Sequence, residues 1–124
     1  MAGAEHDALE GGVDEGHRDL GLLPEPQAGP GETVLRVRAV GICDTDLQLA
    51  RGYMGFRGVL GHEFVGLTDE GRRVTAEINA ACQQCPTCRA GRPGHCPQRT
   101  VLGILNHDGA MAERVRVPIV NLHD

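Results

Sequence analysis

Aromatic residues are almost missing from this 124-residue chain: there is no tryptophan, and Tyr53, Phe56 and Phe64 are the whole complement, 2% of the total. A core must therefore be assembled from Val, Leu, Ile and Ala, and no cluster of rings exists on which nucleobases could stack. A basic stripe is missing too. The net charge is −5 and the arginines are scattered, which argues against nucleic acid as a partner, because phosphate binding needs concentrated positive charge. No stretch approaches the ~18 consecutive apolar residues of a membrane span. The N-terminus, MAGAEHDALEGGVDEGH, lacks the basic start and apolar run of a secretory signal. The expectation is a soluble, cytoplasmic protein with neither nucleic acid nor membrane as partner. In that reducing compartment an odd count of five cysteines is poor material for disulfides and better material for metal ligands or a reactive thiol.

What the chain does have is the makeup of one globular domain: 40% hydrophobic and 23% charged residues, at a length that buries roughly two-thirds of the unfolded surface. Residues 1–19 are rich in Gly, Asp and Glu without hydrophobic periodicity, and are expected to form a flexible or irregular lead-in. Residues 20–124 are expected to form the domain itself. LGLLPEPQAGPGE (20–32) starts apolar and breaks into Pro and Gly, the pattern of a short strand and a turn. TVLRVRAVGI (33–42) alternates apolar residues with Arg and predicts a half-buried strand, after which Asp44 or Thr45 can cap a single helical turn ending near Gly52. GVLGHEFVGLT (58–68), RVTAEI (73–78), TVLGI (100–104) and AERVRVP (112–118) predict further strands. Short strands, frequent turns and 18 glycines predict a mostly β barrel or sandwich. Strands and helices do not alternate, so the chain is not itself a Rossmann domain.

Four of the five cysteines fall in ACQQCPTCRAGRPGHCP (81–97), as Cys82, Cys85, Cys88 and Cys96 with spacing C-x2-C-x2-C-x7-C. Pro and Gly between them let the backbone turn tightly enough for four thiolates to meet at one ion, and four sulfurs suit a closed tetrahedral zinc site. A C-x2-C-x2-C run also opens the bacterial ferredoxin pattern. There the fourth cysteine follows after three residues, whereas seven intervene here, which weakens an iron–sulfur reading without removing it. A thioredoxin-like dithiol fits worse, since no βαβ context surrounds the CxxC pairs.

Cys43, His62 and Glu63 are each unremarkable alone. Taken as an ordered set, GICDTD (41–46), GHE (61–63), the four-cysteine lobe, and DGAMAE (108–113) running on to Val117-Pro118 and Asn121-Leu122 resemble one known pattern. The chain is similar, from about residue 20 to its end, to the N-terminal GroES-like catalytic domain of the zinc-dependent medium-chain alcohol dehydrogenases. The resemblance implies a mostly β, GroES-like barrel with short helical turns and a zinc-binding cysteine lobe. It implies Cys43 and His62 as ligands of a catalytic zinc, Glu63 as a carboxylate able to approach that metal, and Thr45 as the hydroxyl that hydrogen-bonds the substrate oxygen and starts a proton relay. Asp46 becomes an acceptor behind the ligands, and Cys82, Cys85, Cys88 and Cys96 hold a structural zinc. The implied reaction is the oxidation of a small-molecule alcohol, or reduction of a carbonyl, with zinc as Lewis acid and NAD or NADP as hydride partner.

In the family the third catalytic ligand and the Rossmann domain with its glycine fingerprint come after the segment matching Asn121-Leu122. These 124 residues alone are therefore expected not to turn over an alcohol. A different class of function also fits the residues: a stand-alone zinc-binding structural or interaction domain without catalysis.

Overall fold

The computed structural model describes residues 7–14 and 17–124, and their architecture is mostly β. Ten strands run in chain order as β1 (Asp7–Asp14), β2 (His17–Pro24), β3 (Glu32–Gly41), β4 (Arg57–Val59), β5 (Glu63–Leu67), β6 (Arg73–Ala76), β7 (Asn79–Ala80), β8 (Thr100–Val101), β9 (Arg114–Pro118) and β10 (Leu122–His123). Two short helices interrupt them, α1 (Asp44–Ala50) and α2 (Pro86–Arg89). None of the described helices is long and apolar enough to cross a membrane.

The main sheet is antiparallel, in the order β10-β6-β5-β3-β9. Its alternation is the one the sequence predicts. Leu35 faces Val115 across the β3–β9 pair, and both are buried, while Arg114 and Arg116 point the other way. Val74 and Ala76 of β6 join the same buried face, with Arg73 and Thr75 exposed. Phe64, Leu102, Ala110 and Val117 complete the core. A smaller cluster of Leu49, Ala50, Phe56 and Leu60 seats α1 against the loops below it, with Ile104 and Met111 packed alongside. Aliphatic side chains thus carry most of the packing, and both phenylalanines are spent on it. Tyr53 alone among the aromatics stays exposed.

Three segments depart from the sequence reading. The first is the expected irregular lead-in at 1–19. Within it, Asp7–Asp14 pairs antiparallel with His17–Pro24 in continuous register, and β1 also takes β4 along its other edge. Backbone pairing needs no side-chain alternation, so a Gly-rich strand such as DALEGGVD leaves little trace in a hydrophobic pattern. Residues 1–6, 15 and 16 of that lead-in lie outside the described residues.

The second is GVLGHEFVGLT, which is two strands and not one. β4 belongs to the β2-β1-β4 sheet and β5 to the main sheet, so the chain changes sheets at residues 60–62. The third is TVLGI, of which Thr100–Val101 alone is strand, paired with β7 at the base of the cysteine lobe.

The end of β3 lies against the start of β5, with Gly41 opposite Glu63. Cys43 follows β3 by two residues and His62 precedes β5 by one. Antiparallel pairing therefore brings together two side chains nineteen positions apart. A bulge between Val37 and Ala39 shifts the register of this pair, and bulges re-aim the residues beyond them.

Candidate functional site

Cys43 occupies the N-cap position of α1 in extended conformation. Its N–H would be one of the unpaired donors at a helix start, and the Asp46 carboxylate accepts from it through Oδ2 at 3.0 Å. Asp46 is 2% exposed, an unusual place for a carboxylate. Its second oxygen, Oδ1, faces Nδ1 of His62 at 3.4 Å. The two atoms are close enough to attract but outside hydrogen-bond alignment, and neither has another partner. A buried carboxylate beside Nδ1 favours the tautomer with the proton there, which turns the lone pair of Nε2 outward. That lone pair points at sulfur: Nε2 of His62 lies 3.3 Å from Sγ of Cys43.

Cys43, Asp46 and His62 each bring one potential ligand atom within 4.8 Å of the others. The geometry sorts them. Both oxygens of Asp46 are directed elsewhere, one to the Cys43 amide and one to the far nitrogen of the His62 ring. Sγ and Nε2 are the pair left facing a common point. Around a tetrahedral zinc a sulfur and an imidazole nitrogen stand about 3.6 Å apart, so the observed separation suits a shared ion. Glu63 opens β5 with its side chain exposed, and it is not one of the three converging groups. Thr45 sits exposed in the first turn of α1. Ile42, Leu47 and Tyr53, on either side of Cys43 in the chain, expose large apolar surface.

The second cluster is the cysteine lobe. Cys85 caps α2, which is a single turn begun by Pro86, and its sulfur accepts the Cys88 N–H at 3.4 Å. The sulfur of Cys82 accepts from Gln84 and Cys85 at 3.4 and 3.3 Å, a turn that passes through Gln83 at a φ of 67°. Cys96 closes the set, its sulfur accepting from the Cys82 N–H at 3.5 Å. The sulfurs of Cys82 and Cys88, Cys85 and Cys96, and Cys96 and Cys82 are 3.9, 3.7 and 3.6 Å apart. The edge of a tetrahedron of sulfurs around zinc is about 3.8 Å. The lobe thus has the dimensions of a tetrathiolate site.

Its acid–base character agrees. The two backbone N–H groups on Cys82 hold its thiol down at about 6, whereas desolvation and the neighbouring thiols push Cys88 up to about 12. Thiolates this close repel one another, and a cation at their centre would offset that repulsion.

Asn121 escaped the sequence reading as a functional residue. Its buried side chain donates to the carbonyls of Glu77 and Asn79, both at 2.9 Å, and so pins the segment that leads from the main sheet into the lobe. His107 did as well. It is buried and satisfied, Nε2 donating to the Arg116 carbonyl at 2.8 Å and Nδ1 accepting from the Thr100 hydroxyl at 3.2 Å. Nothing in the turn NHDG distinguishes such a histidine from an exposed one.

Comparison with known proteins identifies the family. The family model described as the alcohol dehydrogenase GroES-like domain matches residues 29–124. The L-threonine 3-dehydrogenase of Streptomyces avermitilis is 38% identical over 117 aligned positions, covering 81% of this chain and 34% of the relative. The L-galactonate-5-dehydrogenase of Escherichia coli K12 is 34% identical over 110 positions, covering 78% and 32%. Among solved structures, a protein of Sinorhizobium meliloti described as a zinc-binding dehydrogenase and bound to NADP superimposes with a TM-score of 0.81 at 32% identity, over 94% of this chain and 38% of that one. The acetophenone reductase of Geotrichum candidum, in complex with NAD, does so with a TM-score of 0.84 at 26% identity, over 96% and 40%. The chain spans about a third of the length of the curated relatives it matches. Motifs, fold and family model agree, and the chain belongs to the zinc-dependent medium-chain alcohol dehydrogenase family as its N-terminal, GroES-like domain.

Proposed function

We propose that this domain is the metal-holding, substrate-side half of a dehydrogenase that moves hydride between a small-molecule secondary alcohol and NAD or NADP. The observation that carries the reading is the 3.3 Å approach of Cys43 Sγ to His62 Nε2, backed by a buried carboxylate on the far side of the imidazole. Cys43 and His62 would hold a zinc ion, which would supply a Lewis acid for the substrate oxygen. Asp46 keeps the proton on Nδ1, so that His62 presents a neutral ligand atom, and through its other oxygen it holds the Cys43 backbone in the same frame. Thr45, exposed on the first turn of α1, is the hydroxyl that would take the proton from the substrate oxygen. Glu63, exposed at the start of β5 next to His62, is the carboxylate that would approach the metal.

The lobe takes the second zinc, which closes the loop 82–96 and has no open position for chemistry. The two relatives are named for oxidising L-threonine and L-galactonate, both hydroxy acids, and this supports a polar secondary alcohol as the substrate class. The hydride acceptor belongs to a Rossmann domain, so the 124 residues alone would not turn over an alcohol.

Metal analysis tests the reading. Protein purified under reducing conditions is expected to be colourless and to hold two zinc ions per chain, and Cys43→Ser is expected to hold one. A stoichiometry of one that Cys43→Ser leaves unchanged would sink the catalytic site and leave a zinc-stapled structural module. A brown protein with visible absorbance would point to an iron–sulfur cluster instead.

A further inference from the structure

The two proposed ligands of the first metal are held in different ways. Cys43 is fixed by a helix cap. His62 lies in the three-residue break where the chain passes from β4 to β5, outside any strand.

What fixes it comes from residues 108–111. The Gly109 N–H donates to the Val59 carbonyl at 2.7 Å, the Met111 N–H to the Leu60 carbonyl at 2.9 Å, and the Ala110 N–H to the Gly61 carbonyl at 2.9 Å. In the opposite direction the Val59 N–H donates to Oδ1 of Asp108 at 3.0 Å. Three successive carbonyls and one amide immediately before His62 are thus all bound by one short segment.

The approach is so close that side chains are excluded from it. A Cβ on Gly109 would collide with the carbonyls of Leu60 and Gly61, and one on Gly103, from the other side, would sit 2.8 Å from both N and C of Gly61. Gly61 itself has a φ of +108°, a conformation that favours glycine, and a Cβ there would lie 2.8 Å from the Met111 nitrogen. Gly103 and Gly109 therefore both close on Gly61, the residue before His62. The clamping loop is anchored in turn by His107, whose carbonyl accepts from the Gly103 N–H at 2.8 Å and whose imidazole bridges Thr100 and Arg116.

We infer that residues 103–111 form a backbone clamp that positions His62, and that Asp108 is its latch, a positioning residue for metal binding at Cys43 and His62. The inference rests on the reading of that pair as a metal site. Ligand distances at zinc must hold to within about 0.2 Å, so a loosened approach to His62 lowers affinity without touching the metal. The latch needs a hydrogen-bond acceptor on Asp108 rather than a charge. Asn keeps that acceptor and Ala does not.

The test is titration of the apo full chain with Co(II), following the thiolate-to-metal absorption and total bound metal. Wild type is expected to fill two sites. Asp108→Ala is expected to bind cobalt at the Cys43–His62 site tenfold or more weakly, about the range seen when partners behind metal ligands are removed, with the lobe site unchanged. Asp108→Asn is expected to match wild type. Equal affinity of Asp108→Ala and wild type for the second cobalt would overturn the clamp, and so would an equal loss in Asp108→Asn. Binding of only one cobalt by wild type would instead overturn the metal reading beneath it. Should Asp108→Ala not fold, amide exchange in wild type decides. Loading the Cys43–His62 site must slow exchange at Gly109, Ala110 and Met111, and must not do so in Cys43→Ser; unchanged exchange at those amides refutes the coupling.

Discussion

A carboxylate at a surface turn ordinarily reports little, but Glu77 reports how the entrance to the cysteine lobe is held. Its Oε1 accepts from both the backbone N–H and the side-chain amide of Asn79, at 3.1 and 2.8 Å. These bonds, the side-chain one foremost, favour the ionised form and hold the Glu77 carboxyl below its ordinary 4.5. Because the folded pKa is the lower one, the stabilisation is present above 4.5 and is lost as the pH falls through the folded value. An NMR pH titration should find the Glu77 midpoint below that of an unperturbed glutamate, and Asn79→Ala should raise it. A midpoint indifferent to Asn79→Ala would show that the Asn79 side chain does not bond Glu77 in solution. The same scale separates what could be read in advance from what could not. The four lobe cysteines stand out in the sequence by number and spacing, whereas Cys43 and His62 stand out only as members of an ordered set of motifs that resembles a family; the structure brings each group together. Asp46 was legible only as an acceptor; its double engagement, one oxygen on the Cys43 amide and one at His62, depends on a helix cap whose geometry no spacing encodes.

Elements show a similar division. β3 and β9 could be read from alternation, Leu35 against Val115 with arginines outward, since one face of each strand is buried. β1 could not, because two glycines in its centre remove the side chains that would mark a face. The break before His62 was hidden for a different reason: GVLGHEFVGLT carries apolar residues on both sides of His62 and Glu63, and the exchange of sheets inside it passes through Gly61 at positive φ. Asn121, in the turn between β9 and β10, joins elements the sequence leaves unconnected. Its amide satisfies the carbonyls of Glu77 and Asn79, and its own carbonyl accepts the Glu77 N–H at 2.8 Å. Asn121→Ala strips two carbonyls of their donors and is expected to cost about 1–3 kcal/mol by chemical denaturation. The loss should be local in its signature, with amide exchange rising at β7 and β8 before it rises in β3. A destabilisation spread evenly over the main sheet would contradict the assignment of Asn121 to the lobe.

The molecule as a whole is held together in two ways. The main sheet closes over Leu35, Phe64, Val74, Val115 and Val117, packing that needs no ligand. The lobe has no such core. Between Cys82 and Gln98 the one buried residue is Cys96, and the regular structure is limited to α2 and a single 3-10 turn at Pro93–His95. A segment that buries so little apolar surface cannot offset the entropy of ordering its backbone, so on the proposed zinc reading its order comes from an ion that would join its four thiols. Removing metal with a strong chelator under reducing conditions should therefore disorder residues 82–98 while the main sheet persists. Trypsin provides a direct measure, because Arg89 lies exposed at the end of α2 and is followed by Ala90, whereas the bond after Arg92 is protected by Pro93. Cleavage after Arg89 should be slow in the zinc-loaded chain, fast after chelation, and slow again when zinc is restored. Cys43→Ser should show the same protection as wild type, since the proposed Cys43 metal site lies apart from the lobe cysteines. Equal cleavage rates with and without metal would mean that the lobe is ordered by contacts other than its cysteines.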